Sequence, residues 1–143
     1  MSATNASTTT TNIFLVHGSW VDGSFWRKVI PILQNAGHRV IAAQLRLHSL
    51  ADDVPTVKSA VDLVGGPTIL VGHSYGGFVI TDAGYNNQND TGLVYLAAFA
   101  PDEGNLFNLY KHCSILVLDK HSFGNLLNPV KSLYESIVFC IRK

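Results

Sequence analysis

From Ile13 onward, short apolar runs alternate with longer segments in which apolar residues recur at helical spacing. The first run, Ile13 to Val16, predicts a strand, and three later runs predict three more: Arg39 to Ala43, Thr68 to Val71 and Leu93 to Ala98. This alternation is typical of βαβ units around a parallel sheet. We therefore predict an α/β fold with a mostly parallel sheet and helices on both of its faces.

Three segments between these strands have the features of helices. Apolar residues from Phe25 to Leu33 recur at three- and four-residue spacing, and Pro31 is expected to kink or shorten that helix. A capping-box pattern that starts at Ser49 places the beginning of the second helix there. The third helix is expected after Ser74, where the residues from Phe78 to Ala83 are mostly apolar and suit burial against the sheet.

The character of the chain changes twice. Residues 1–12 are almost entirely Ser, Thr, Asn and Ala, which predicts a disordered leader. Residues 13–104 have the α/β alternation, and the boundary of this region is expected near residue 104. Residues 105–143 hold one strand-like run, Ser114 to Leu118, and one helix-like segment, Pro129 to Ile141, without a clean return to the earlier rhythm.

Composition excludes several classes of partner. The 143 residues suit a single domain, and ten basic and ten acidic residues give a net charge of zero without a basic cluster. We therefore expect neither nucleic acid nor a membrane as a partner. Cys113 and Cys140 lack metal-ligand spacing, so neither a zinc site nor a disulfide framework is indicated, and nothing in the sequence implies another metal or a cofactor. Without the charged and apolar regions of a secretory signal, the chain is expected to be cytoplasmic.

The candidate chemistry lies in the stretch LVGHSYGGFVI, residues 70–80. A serine hydroxyl is a poor nucleophile, so an enzyme must expose it and place a base beside it. A sharp turn from strand to helix presents the serine, and it needs glycines two residues before and two residues after. Here those residues are Gly72, Ser74 and Gly76, and both the strand and the helix are predicted. Ser74 is therefore the candidate catalytic nucleophile.

Two backbone amides are candidates for the oxyanion hole. The N–H of Tyr75, at the start of the predicted helix, is expected to face an oxyanion formed beside Ser74. A tetrahedral intermediate usually needs a second donor. His17-Gly18-Ser19 follows the first strand, and Ser19 is expected to supply that donor through its own N–H.

Other residues near these motifs have two interpretations each. His17 and His73 are candidate bases, but a histidine that closes a strand before glycine, or lies inside the elbow, is more often structural. Trp20, Phe25 and Trp26 are candidate pocket-lining residues, whereas aromatic residues at helical spacing more often belong to the core.

Residues 13–104 resemble the N-terminal half of an α/β-hydrolase, from the small esterase-like members related to plant methylesterases and hydroxynitrile lyases. The resemblance rests on FLVHGSWVDGSFW, VIPILQNAGHRVIAAQL, SLADDV, GPTILVGHSYGGFVIT and GLVYLAAFAPDEG, in the family's order and near its spacing. It implies a serine hydrolase that cleaves small ester-like substrates through an acyl-serine intermediate. Ser74 would be its nucleophile, and the N–H groups of Ser19 and Tyr75 its oxyanion hole. Lyase chemistry remains an alternative.

The family's acid and histidine, which come from loops after later strands, have no recognisable counterparts in residues 105–143. We therefore expect a truncated hydrolase domain with a divergent tail. Asp119 and His121 follow a strand-like run, and with Ser74 they keep the family's chain order of serine, acid and histidine. They are a weaker alternative source of the acid and the base. The rival hypothesis is a non-catalytic fragment or pseudoenzyme that binds a partner. A sheet ending at its fourth strand would also leave an edge open for self-association.

Overall fold

The computed structural model describes residues 10–98, of which 90 and 91 by backbone alone, and the backbone of residues 115–119. Within this part, five strands form one sheet in the order β2-β1-β3-β4-β5. The strands are β1 (Asn12–Val16), β2 (Arg39–Ala42), β3 (Thr68–His73), β4 (Asp90–Leu96) and β5 (Ile115–Asp119). The first four are parallel, and β5 runs antiparallel to β4. The predicted α/β class with a mostly parallel sheet is confirmed.

The helices begin and end close to where the sequence predicts. They are a short 3-10 helix (Gly23–Trp26), α1 (Ile30–Asn35), α2 (Leu50–Val64) and α3 (Gly76–Gly84). The single helix predicted around residues 25–33 is thus two shorter ones. Pro31 lies in the first turn of α1. Backbone N–H groups in a first turn have no acceptor within the helix, so a proline there costs no helical hydrogen bond.

Each face of the sheet has its own apolar core, because successive strand residues point to opposite faces. The 3-10 helix and α1 cover one face through Trp26, Val29 and Leu33, which pack on Ile13, Leu15, Ile69, Val71, Val94 and Leu96. Helices α2 and α3 cover the other face through Val57, Val61, Val79, Ile80 and Ala83, which pack on Phe14, Val16, Leu70 and Tyr95. Both faces of β1 and β3, the central strands, are therefore buried.

The start of the first strand and one edge of the sheet differ from what the sequence predicts. Asn12, expected in the disordered leader, is the first residue of β1, and its buried side-chain amide donates to the carbonyl of Gly65 at 2.8 Å. The edge of β4, expected to be open, pairs with β5, so the described sheet has its edges at β2 and β5. Self-association through an edge stays a prediction. The boundary near residue 104 and the helix at 129–141 lie outside the described residues.

Among the described residues, no helix combines the length and the apolar character needed to cross a bilayer.

Candidate active site

Left-handed backbone geometry concentrates at one edge of the sheet. Of the five non-glycine residues with positive φ in the described part, Trp20, Leu47, Ser74 and Ala97 follow the carboxyl ends of β1 to β4. Their φ values are 69°, 58°, 53° and 44°. Ligands of open α/β sheets bind at the carboxyl ends of the strands, and backbone strain collects at functional sites. This edge is therefore the candidate site.

Ser74 occupies the sharp turn between β3 and α3. It is half-buried, and its φ of 53° turns the chain directly from strand into helix. The flanking glycines make this turn possible. A Cβ on Gly72 would stand 2.7 Å from the Gly76 carbonyl oxygen, and a Cβ on Gly76 would stand 2.5 Å from the Val16 carbonyl oxygen. No side chain fits at either position, so the two glycines are required by close backbone approach.

The loop after β1 lies against the turn at Ser74. A Cβ on Gly18 would stand 2.9 Å from Ser74 Cβ and 3.1 Å from the His73 carbonyl oxygen, so the loop has no room for a side chain at this position. The next residue is Ser19, the expected oxyanion donor. Within residues 10–98, the N–H groups of Ser19 and Tyr75 make no intramolecular hydrogen bond. Among these residues, neither amide is therefore committed to another group, which is what an oxyanion donor requires.

His17 is a structural residue in this geometry. It is fully buried, and its Nε2 accepts a hydrogen bond from the Leu45 N–H at 3.0 Å. Because Nε2 is an acceptor, the ring proton is on Nδ1, which donates to the Gly18 carbonyl at 2.9 Å. Both ring nitrogens are thus committed to the backbone. His17 ties the loop after β1 to the loop after β2, and it has no nitrogen left for Ser74.

His73 packs on the opposite side of the sheet from α3. Its ring stacks on Phe25 with centroids 4.5 Å apart and meets the edge of Trp26 at 6.5 Å. Burial, with a smaller contribution from His17, lowers the pKa of His73 below its usual value of 6.5. Its Nδ1 is buried and has no hydrogen-bond partner among the described residues. Within the described residues, the ring therefore makes aromatic contacts, and its Nδ1 makes no hydrogen bond to the Ser74 hydroxyl.

The three aromatic residues considered for pocket lining have different environments. Trp26 is fully buried in the core, and Phe25 packs against it and against His73. Trp20 is 97% exposed, on the loop directly after Ser19. Only Trp20 faces the solvent at the edge where Ser74 lies.

Asp53, which the sequence does not single out, is the buried acid of this region. The residue is fully buried in the first turn of α2. Its Oδ1 accepts the N–H groups of Arg46 and Leu47 at 3.1 and 3.2 Å, and its Oδ2 accepts the Tyr75 hydroxyl at 2.9 Å. Burial and the hydrogen bond to Asp53 raise the pKa of Tyr75 to about 12. In the sequence, Asp53 resembles any acidic residue in a first helical turn, so only the folded contacts distinguish it.

The register of β5 separates Asp119 from Ser74. Ile115 pairs with Leu96, which in turn pairs with His73 at the carboxyl edge, whereas Asp119 pairs with Gly92. Asp119 therefore lies four residues, or about 13 Å along the strand, from that edge. The expected alternative of Asp119 and His121 as acid and base does not fit this register. His121 itself lies outside the described residues.

Comparison with known proteins gives a consistent family. The sequence model of the alpha/beta hydrolase family matches residues 13–128. A carbendazim-hydrolyzing esterase of Nocardioides sp. is 38% identical over 106 residues, 65% of this chain and 44% of the esterase. Methylesterase 1 of Arabidopsis thaliana is 33% identical over 126 residues, 78% of this chain and 44% of the methylesterase.

A solved structure shares the same architecture. A pyrethroid hydrolase from Sphingobium faniae superposes with a TM-score of 0.57 and 31% sequence identity, over 65% of this chain and 42% of the hydrolase. The chain thus spans less than half the length of these relatives.

Proposed function

The chain belongs to the alpha/beta hydrolase family, and we propose that it carries the nucleophilic half of a serine hydrolase that cleaves small-molecule esters through an acyl intermediate on Ser74. The observation that carries the proposal is the position of Ser74, left-handed and half-buried, at the strand-to-helix turn on the carboxyl edge. Its relatives support the substrate class, because their names describe an esterase, a methylesterase and a pyrethroid hydrolase.

In the proposed reaction, Ser74 Oγ attacks the ester carbonyl carbon while its proton passes to a base. The carbonyl oxygen becomes an oxyanion that accepts hydrogen bonds from the N–H groups of Ser19 and Tyr75. Collapse of the tetrahedral intermediate breaks the bond to the leaving alcohol, which takes up the proton, and water then hydrolyses the acyl-serine. A single oxyanion donor of this kind contributes on the order of 3 kcal/mol to the transition state.

The base is the part of the proposal that residues 10–98 do not supply. Among these residues, no side chain makes a hydrogen bond to the Ser74 hydroxyl, and both nitrogens of His17 are occupied. The expectation that residues 105–143 lack the family's acid and histidine stays a prediction. It implies slow turnover that rests on oxyanion stabilisation alone. Cytoplasmic location and action without a cofactor also stay predictions.

A fluorophosphonate probe tests the proposal, because it reacts covalently with activated serines. The matched variants are Ser74→Ala and Ser59→Ala, the latter an exposed serine on α2. We expect labelling of the folded wild-type chain and of Ser59→Ala, and none of Ser74→Ala. A folded wild-type chain without labelling, or equal labelling of Ser74→Ala, would overturn the proposal and favour the rival hypothesis of a non-catalytic binding protein.

A further inference from the structure

The Asp53 carboxylate connects two loops at the carboxyl edge of the sheet. One is the loop between β2 and α2, held through the amides of Arg46 and Leu47, and the other is the turn after β3, held through the Tyr75 hydroxyl. Together, the three donors occupy both oxygens of the carboxylate, which is fully buried. A buried carboxylate with fewer partners is costly, so the loss of one bond should weaken the hold of Asp53 on both loops.

Both connected loops contain left-handed residues. Leu47 has a φ of 58°, and Ser74, directly before Tyr75, has a φ of 53°. Side chains disfavour this region of backbone space, so each conformation persists only where surrounding contacts hold it. At Leu47 the described contact is the bond from its own N–H to Asp53. At the turn, the Tyr75 side chain is anchored to the same carboxylate.

We propose that Asp53 is a positioning residue, which locks the loop between β2 and α2 against the turn at Ser74 and thereby fixes the direction of the Tyr75 amide. This inference rests on the proposed function of Ser74 and the Tyr75 amide, and it adds a residue to that site. Asp53 does not itself touch the substrate, because it is fully buried and both of its oxygens are occupied. Its effect passes through Tyr75.

The loop after β1 belongs to the same connected edge. Leu45 donates its N–H to His17 Nε2, only one residue before Arg46 donates to Asp53. The loop between β2 and α2 is therefore held twice, once by His17 and once by Asp53. These two anchors lie beside the two residues whose amides are the proposed oxyanion donors, since Ser19 follows His17 by two positions and Tyr75 binds Asp53 directly.

Three variants separate positioning from general stability. Tyr75→Phe removes only the hydroxyl that donates to Asp53. Asp53→Asn is the conservative variant, since its amide oxygen still accepts the loop amides and its amide nitrogen can donate to the Tyr75 oxygen. Tyr95→Phe is the matched control, because it removes another phenolic hydroxyl, which bonds to the hydroxyl of Thr81 on α3 at 2.8 Å and not to Asp53.

The first readout is the labelling rate of Ser74 by the fluorophosphonate at saturating probe. Misplacement of one oxyanion donor should lower this rate about tenfold in Tyr75→Phe, with an unchanged half-saturating probe concentration. Asp53→Asn should retain most of the wild-type rate, and Tyr95→Phe should retain all of it even if its melting temperature falls. Equal rates in Tyr75→Phe and the wild type, or an equal loss in Tyr95→Phe, would overturn the proposal.

The second readout, amide hydrogen exchange, needs no activity. In Tyr75→Phe, exchange at Arg46 and Leu47 should accelerate, whereas exchange at Leu45, which is bonded to His17, should change less. Unchanged exchange at Arg46 and Leu47 would overturn the connection between the loops. If exchange accelerates in Tyr75→Phe but the folded wild type is not labelled at Ser74, the proposed function of Ser74 is overturned instead, so the two failures are distinguishable.

Discussion

The backbone of Gly18 lies against the side chain of Ser74, so close that a Cβ on Gly18 would stand 2.9 Å from Ser74 Cβ. They come from loops that follow different strands, β1 and β3, which pair directly in the sheet. The contact brings the residue before Ser19 to the candidate nucleophile. It explains why the first loop must contain a glycine at this position, and it joins the two halves of the proposed oxyanion hole.

The Gly18→Ala variant tests this contact. The added methyl group would also stand 3.1 Å from the His73 carbonyl oxygen, so the turn must shift. Overpacking of this kind typically destabilises by about 1–3 kcal/mol. We expect that loss in urea denaturation together with a lower rate of Ser74 labelling. Gly23→Ala, whose nearest contact would be 3.3 Å, is the milder control. Unchanged stability and labelling in Gly18→Ala would show that the contact does not constrain the turn.

The His17→Leu variant tests whether His17 has a structural or a catalytic role. Loss of Nε2 leaves the buried Leu45 N–H without its acceptor, which should cost about 1–3 kcal/mol of unfolding free energy. Labelling of Ser74, measured per folded molecule, should fall by no more than about tenfold, because His17 has no free nitrogen and affects Ser74 only through the position of the loop that contains Ser19. Loss of labelling in a chain that retains its stability would instead identify His17 as the base.

The strands and the Ser74 turn could be predicted from the sequence because they depend on local patterns. Apolar runs such as Ile13 to Val16, and glycines two residues either side of Ser74, are visible within a short window. The capping box at Ser49 likewise gave the start of α2, where the Ser49 hydroxyl accepts the Asp52 N–H at 3.2 Å.

The contacts that organise the site join residues far apart in the chain, and local patterns carry no signal for them. His17 bonds to Leu45, 28 positions later, and Tyr75 bonds to Asp53, 22 positions earlier. The antiparallel direction of β5, which moves Asp119 away from the carboxyl edge, also follows from pairing with β4 rather than from its own residues. Local patterns therefore locate the candidate nucleophile but not the residues that hold its turn in place.

His73 should make stability depend on pH. Burial lowers its pKa below 6.5, so below that pH the unfolded chain binds a proton that the folded chain does not bind. The free energy of unfolding should therefore fall as the pH drops from 6.5, by at most about 1.4 kcal/mol per unit. Urea denaturation of the wild type and of His73→Gln checks this, with a smaller slope expected in the variant. Equal slopes would contradict the buried environment of His73.

The phenol of Tyr75 should lose its proton at a higher pH than an ordinary tyrosine. Burial and Asp53 raise its pKa to about 12, so the unfolded chain loses the phenolic proton first and the stability contributed by this group declines above pH 10. Absorbance titration near 295 nm, wild type minus Tyr75→Phe, isolates this one phenol. We expect a midpoint near 12 and a lower midpoint in Asp53→Asn, where the negative charge beside the phenol is gone and the amide nitrogen can donate to the phenolate. A wild-type midpoint at 10 would mean that the Asp53 bond does not form.

Acylation of Ser74 is the most direct test of the proposed function. The folded chain is incubated with p-nitrophenyl acetate, quenched in acid and digested, and mass spectrometry locates the acetyl group. We predict acetyl on Ser74 in the folded wild type, and none at this position in the urea-unfolded chain, since only the folded turn supplies the amides of Ser19 and Tyr75. A folded chain without acetyl on Ser74, or equal acetylation in urea, would contradict its assignment as the nucleophile.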